Sequence, residues 1–325
     1  MKTNVKAEPK QKAPKQVRIV NGKRQESFWK RFWDTKFLFF LFLPALIYYL
    51  VFHYYPMWGI SLAFYQYNSW LGLAGSQFIG FRNFQVFFES PNFLTYVYNT
   101  LALGLQSLLI SFPATILFAL LLNEVRNAKF KKVVQTISYM PHFMSTVVIV
   151  SLITTLCDPT QGAINLIIQA LGGKSIFFIM RPEWFRPLYL ISGMWQGLGW
   201  GTIIYLAAIS NVDPGLYEAA RLDGAGRWRQ MWNITIPSIA PTVSTMLIMQ
   251  CGKILSASTE KVLLMQQPAT YETSQVLSTY VYQVGITNGN YSFAQAINLF
   301  TSLVNLALIL SANWLSKKLT DSGIF

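Results

Sequence analysis

Between residues 213 and 237 the sequence Glu218-Ala219-Ala220-Arg221-Leu222-Asp223-Gly224 is followed, nine residues later, by Ile234-Thr235-Ile236-Pro237. Asp213-Pro214 predicts a helix start, with Asp as N-cap and Pro at the first helical position. Leu216 to Leu222 would make about two turns, with Glu218 in the first turn, where the helix dipole favours an anion. Gly224 or Gly226 can supply the left-handed residue that ends it. Arg227 to Ile234 would form a second short helix leading to Pro237. Ala219 and Ala220 admit a close neighbour, while Glu218, Arg221, Asp223, Arg227 and Arg229 offer charged contacts. That chemistry suits docking into a partner's groove, against a plainer reading as an amphipathic surface hairpin. It does not suit catalysis: no His, Asp and Glu cluster of catalytic or metal-binding spacing occurs, and Cys157 and Cys251 do not form one.

The segments flanking this loop are apolar. The 325-residue chain is 53% hydrophobic and 12% charged, whereas soluble chains carry about a quarter charged residues. Runs near 37–58, 96–122, 133–156, 188–210, 238–257 and 294–315 each approach the about 20 residues that cross a bilayer core. The expected fold is therefore all-α, a polytopic membrane protein with six transmembrane helices. The fifth run is the most polar, holding Thr242, Ser244, Gln250 and Lys253, and is expected to face its neighbours or a watery path. The first run lacks a small-residue cleavage site and reads as a retained anchor.

The net charge of +13 is unevenly placed. Eleven basic residues lie in the leader 1–36, four in the 123–132 loop, three in the 211–237 loop, and two just after the last run. The opposite side holds five: Arg82, Lys174, Arg181, Arg186 and Lys261. Basic residues favour the cytoplasmic side, so both termini and the 211–237 loop are expected there. The leader has no hydrophobic pattern and reads as a largely disordered tail beside the membrane surface; no basic recognition helix accompanies it, so a nucleic-acid role is not indicated. The opposite loops, near 59–95, 157–187 and 258–293, are rich in aromatic residues. Ile79-Gly80-Phe81-Arg82-Asn83-Phe84 with Phe87-Phe88 predicts a short interfacial helix.

The spacing Glu-Ala-Ala, three residues, Gly, nine residues, Ile-x-x-Pro resembles the docking loop of binding-protein-dependent ABC import permeases, with Ile236 where the family usually has Leu. Leu43-Pro44-Ala45, Tyr55-Pro56-Met57-Trp58-Gly59, Gly80-Phe81-Arg82-Asn83-Phe84 and Tyr139-Met140-Pro141-His142 resemble the saccharide-import branch. Tyr271-Glu272-Thr273, Thr279-Tyr280-Val281-Tyr282 and Ala312-Asn313-Trp314-Leu315-Ser316-Lys317-Lys318 are similar to oligosaccharide and polysaccharide permeases of the LplB type. That group includes an alginate-oligosaccharide importer.

The resemblance implies a type I ABC importer permease in a bacterial cytoplasmic (inner) membrane. Its partners would be a second permease subunit, commonly a different chain, two ATPase subunits, and an extracytoplasmic solute-binding protein. Glu218, Ala219, Ala220, Arg221, Asp223, Gly224, Arg227, Ile234 and Pro237 would carry ATPase coupling. The chain has no Walker A sequence; it is expected to bind no cofactor and to be no enzyme, with ATP and Mg on the partner ATPase subunits. A saccharide path calls for rings that stack on pyranoses and amides that satisfy hydroxyls. The candidates are Trp195, Gln196, Trp200, Tyr205, Gln250, Asn298 and Asn305, each of which could instead be packing or interfacial belt. Lys253 either snorkels to the interface or meets an acidic saccharide. His142 reads as a packed or gating residue. The rival classes are an ion-coupled secondary transporter, a membrane enzyme and a non-transport scaffold. The first would want intramembrane Asp or Glu, and the six runs contain none.

Overall fold

The computed structural model describes residues 35–320, together with Trp33 and the pairs 19–20 and 23–24. The chain divides into two units, Met1–Trp58 and Gly59–Phe325. In the first, β1 (Ile19–Val20) pairs antiparallel with β2 (Lys23–Arg24); the rest of the basic leader falls largely outside the described residues. An apolar helix, α1, runs Lys36–Phe64.

The second unit adds a hairpin of β3 (Tyr65–Asn68) and β4 (Gly72–Phe78), then α2 (Arg82–Phe88) and α3 (Phe93–Glu124). After these come α4 (Ala128–Phe143), α5 (Thr146–Leu156), α6 (Ala163–Ala170) and α7 (Pro182–Ser210). The remainder is α8 (Pro214–Leu222), α9 (Arg227–Cys251), α10 (Thr259–Met265), α11 (Leu277–Tyr282) and α12 (Tyr291–Thr320). Among the described residues, α1, α3, α9 and α12 are each long and apolar enough to cross a bilayer, and α4 with α5 forms a fifth candidate bent by 104°. At 29 residues, α7 would span about 44 Å at 1.5 Å per residue; its glycines, Gln196 and Ser192 dilute its hydropathy.

The helices extend the first run to Phe64 and begin the fourth at Pro182, and three further expectations change. The third run is not straight: Pro141 removes a donor, Met144 is extended, and Ser145 caps α5 by accepting from the Val148 N–H. The fifth ends at Cys251 rather than 257, so Lys253 lies in the turn beyond it. Arg227 to Ile234 is no separate helix but the first two turns of α9. The β3–β4 hairpin is not signalled by its sequence, which is Gly-rich and lacks β-branched residues; the Tyr67 N–H donating to Ser292 Oγ at 2.9 Å fastens it to α12.

Three helices widen by one residue for the same reason. Leu50–Tyr54, Ser107–Ser111 and Met231–Thr235 are π turns, and each is followed two positions on by a proline: Pro56, Pro113 and Pro237. A proline inside an α-helix clashes with the carbonyl four residues back and lacks its own N–H. Bonding the residue before it five back, as Ile236 N–H does to Met231 O, moves that carbonyl aside.

Core packing binds α7 into the bundle. Leu120, Ile209, Met231 and Ile239 join α3, α7 and α9 near the 213–237 segment, while Leu103, Phe185, Val262, Met265 and Val276 join α3, α7 and α10 at the other end. A Cβ on Gly199 would overlap the Ser138 carbonyl of α4, so only glycine permits this crossing. Gly199→Val should push the helices apart at a cost of about 3 kcal/mol or more, seen as a lower melting temperature and lost monodisperse yield in detergent.

Candidate functional site

An open cavity of about 580 Å³ lies against one face of α7 and is walled by α3, α9 and α10. Gly193, Gly197 and Gly201, spaced four apart, share one helical face that lines the cavity; a Cβ at Gly197 would meet open space, whereas Gly193 faces the Lys261 ammonium and Gly201 faces Thr115 of α3. Gln106, Tyr189, Gln196, Tyr205, Gln250 and Lys253 supply most of its polar lining, together with Lys261. No Asp or Glu lines it.

Four of the sequence candidates thus meet here: Gln196, Tyr205, Gln250 and Lys253. Gln196 is partly committed, because its Nε2 donates to Met144 O at 3.1 Å and holds the bend between α4 and α5. Trp195 and Trp200 do not line the cavity. Helical spacing turns Trp195 away from the glycine face, whereas Trp200, seven positions after Gly193, is drawn aside by stacking on His142 at 4.5 Å with planes 4° apart. That contact holds exposed His142 against the Trp200 ring. Asn298 opens instead onto a separate cavity of about 860 Å³ with Tyr67, Tyr282 and Tyr291. Asn305 acts at one remove: its Oδ1 accepts from the Leu255 N–H at 3.1 Å and its Nδ2 donates to Ser256 Oγ at 3.2 Å, bracing the turn that carries Lys253.

Lys261 reads from the sequence as an outer-loop cation, yet the fold buries it. It is 5% exposed, held between buried Val262 and the face of α7 that carries Tyr189 and Gly193. Its Nζ donates to Tyr189 O at 2.8 Å and lies 4.5 Å from the Tyr189 ring centroid. The only sequence signal is a lysine beside an apolar run, Val262-Leu263-Leu264-Met265, behind the cap Ser258. Burial pushes its ammonium down from 10.5 to about 8. Of the ionisable groups around it, Tyr189, Tyr205 and Lys253 line the same cavity and exposed Glu260 precedes it in α10, while Thr146–Leu156 of α5 contributes none.

The folded value lies below the unfolded one, so between pH 8 and 10.5 the unfolded chain binds the extra proton and stability rises with pH. Lys261→Met should therefore be the more stable chain below pH 8, by on the order of 3 kcal/mol. That gap should close toward pH 10.5; thermal unfolding of the two proteins across this range measures it.

At the far end of α7, the 213–237 segment forms an exposed hairpin. Asp213 Oδ1 accepts from the Gly215 N–H at 2.9 Å and starts α8. Gly224, at φ 75°, ends it, with the Ala225 N–H donating to Ala220 O at 2.8 Å; Gly226 is not left-handed. Tyr217 Oη and Thr235 Oγ1, 2.9 Å apart, hydrogen-bond α8 to α9. Arg227 lies 3.8 Å from Glu124 at the end of α3. Glu218, Ala219, Arg221, Asp223, Gly224 and Arg227 are exposed, Ala220 and Ile234 are half-buried, and Pro237 is exposed on α9. Leu216 and Trp228 also face outward, and Leu222 is 90% exposed.

Residues 111–321 match the family described as binding-protein-dependent transport system inner membrane component. The polygalacturonan/rhamnogalacturonan transport system permease protein YteP of Bacillus subtilis is 47% identical over 292 residues, 90% of this chain and 91% of that one. Protein LplB of the same organism is 43% identical, covering 89% and 91%. The chain also superposes on a bacterial alginate ABC transporter solved with an alginate pentasaccharide-bound periplasmic protein. That match has a TM-score of 0.84 and 39% identity, covering 92% of this chain and 100% of that one.

Proposed function

The chain belongs to the family of binding-protein-dependent transport system inner membrane components, and we propose that it forms one part of the saccharide path of an ATP-driven importer. The cavity against the α7 glycine face carries this reading: amides and tyrosines suited to sugar hydroxyls and ring faces, with two lysines and no carboxylate. Lys253 and Lys261 would favour an acidic oligosaccharide. The relatives support that class, since one is named for polygalacturonan and rhamnogalacturonan, and another solved transporter is described as importing the acidic polysaccharide alginate. An ion-coupled transporter is the weaker reading, because such coupling would call for an acid in the path.

In this reading the hairpin of α8 and the start of α9 docks onto separate ATPase subunits, through exposed Glu218, Arg221 and Leu222. The chain itself hydrolyses nothing, and ATP and Mg reside on those subunits. A second permease and an extracytoplasmic binding protein complete the complex in the bacterial inner membrane, with both termini and the hairpin on the cytoplasmic side. ATP-driven closure of the ATPases would move the hairpin. The Tyr217–Thr235 bond and Met231, buried against Leu120 and Ile239, would pass that movement to α9 and α3, which wall the cavity.

Co-expression with the ATPase, second permease and binding-protein subunits tests the assignment. Reconstituted ATPase activity should rise only with saccharide-loaded binding protein. Activity indifferent to every loaded saccharide would overturn it.

A further inference from the structure

Lys261 is a buried cation without a carboxylate. Among the described residues no Asp or Glu oxygen lies within 4.0 Å of its ammonium, and its sole hydrogen bond is to Tyr189 O. A buried charge is normally paired, because leaving one unpaired costs several kcal/mol. The fold nevertheless holds this one in place. Val262 and Met265 anchor α10 in the core on either side of it, and Ser258 caps the helix through the Lys261 N–H while its own N–H donates to Tyr189 Oη at 3.2 Å. The ammonium occupies the niche left by Gly193, where a Cβ would stand 3.1 Å from Nζ. Nearby in the same cavity, Gln106 Oε1 is buried without a partner; an amide can turn to present either its oxygen or its NH₂.

Resting on the saccharide reading above, we infer that Lys261, seated on Tyr189 over Gly193, is a carboxylate-binding subsite that selects uronate-bearing sugars in the path. The ammonium has two N–H groups left beyond its bond to Tyr189 O. A substrate carboxylate would supply the missing counter-charge, and the turned amide of Gln106 a further donor. Lys253, exposed in its turn on the same cavity, is free to contact solvent. The selecting charge is therefore the fixed one on α10.

The test uses the complete importer in nanodiscs at pH 7. A radiolabelled uronate trisaccharide and its methyl ester, the same sugar without charge, are compared by equilibrium dialysis. The wild type should bind the acid about ten-fold more tightly than the ester, the worth of one charge-assisted hydrogen bond. Lys261→Met should lose that preference with ester affinity unchanged, and Lys261→Arg should keep most of it. Gly193→Ala, which shifts the ammonium without removing it, should weaken the acid alone. Lys253→Met serves as the comparison.

A Lys261→Met protein that weakens both ligands equally, or retains acid preference, would overturn the subsite. So would a preference that vanishes in Lys253→Met and survives in Lys261→Met. A wild type that binds acid and ester equally removes the subsite and leaves the saccharide path standing. One that binds neither sugar removes both. Melting curves of each variant separate a folding defect from a binding one, and Lys261→Met is expected to fold because it deletes an unpaired buried charge.

Discussion

Leu222→Asp is expected to insert and fold normally yet lose its ATPase subunits. Leu222 is 90% exposed at the end of α8, so its replacement removes almost no internal packing, and surface changes of this kind cost little stability. An apolar side chain held out in this way is positioned to fill a pocket on a partner. A carboxylate there would have to be desolvated unpaired. Loss of about 2 kcal/mol of binding, roughly 30-fold, is the expected scale for a central contact. Glu218→Lys on the same helix should act through charge, leaving association weakened and uncoupling the hydrolysis that persists from uptake. Co-purification of the ATPase on a tagged chain reads both. Undiminished recovery and uptake in the two variants would remove α8 as the coupling element.

Gly197→Trp is the second large effect. Gly197 lines the cavity, and a Cβ built on it meets nothing within 4 Å. The indole therefore enters the path without displacing a helix, unlike a side chain at Gly199, which would strike α4. Uptake should fall to the background of liposomes lacking the complex, while the melting temperature and ATPase recovery stay at the wild-type level. Normal uptake would mean that substrate passes elsewhere.

Much of the fold and of the 213–237 hairpin is legible in the sequence because it depends on local rules. Asp213-Pro214 specifies the start of α8 and Gly224 its end, and the Glu-Ala-Ala spacing by itself points to the family. The apolar runs locate most spans, since bilayer thickness sets their length. Sequence reasoning fails where a residue's meaning depends on distant partners. Trp195 and Trp200 fit sugar chemistry by type, but Trp195 lies opposite the face of Gly193, Gly197 and Gly201, and the ring of Trp200 is taken up by His142, 58 positions earlier. Asn305 supports the cavity from outside it, through the turn at Leu255 and Ser256. Lys261 reads as a loop cation because nothing local reports that Tyr189, 72 positions earlier, will cover it. The prolines at 56, 113 and 237 are visible as interruptions, whereas the helix continues through each by widening one turn.

The most direct measurement is uptake of a labelled uronate oligosaccharide into proteoliposomes holding the complete complex, with ATP enclosed and binding protein outside. Accumulation that requires ATP and the binding protein, and that Gly197→Trp abolishes, is the predicted result. Accumulation that proceeds without ATP, or persists in Gly197→Trp, would contradict a saccharide path through this chain.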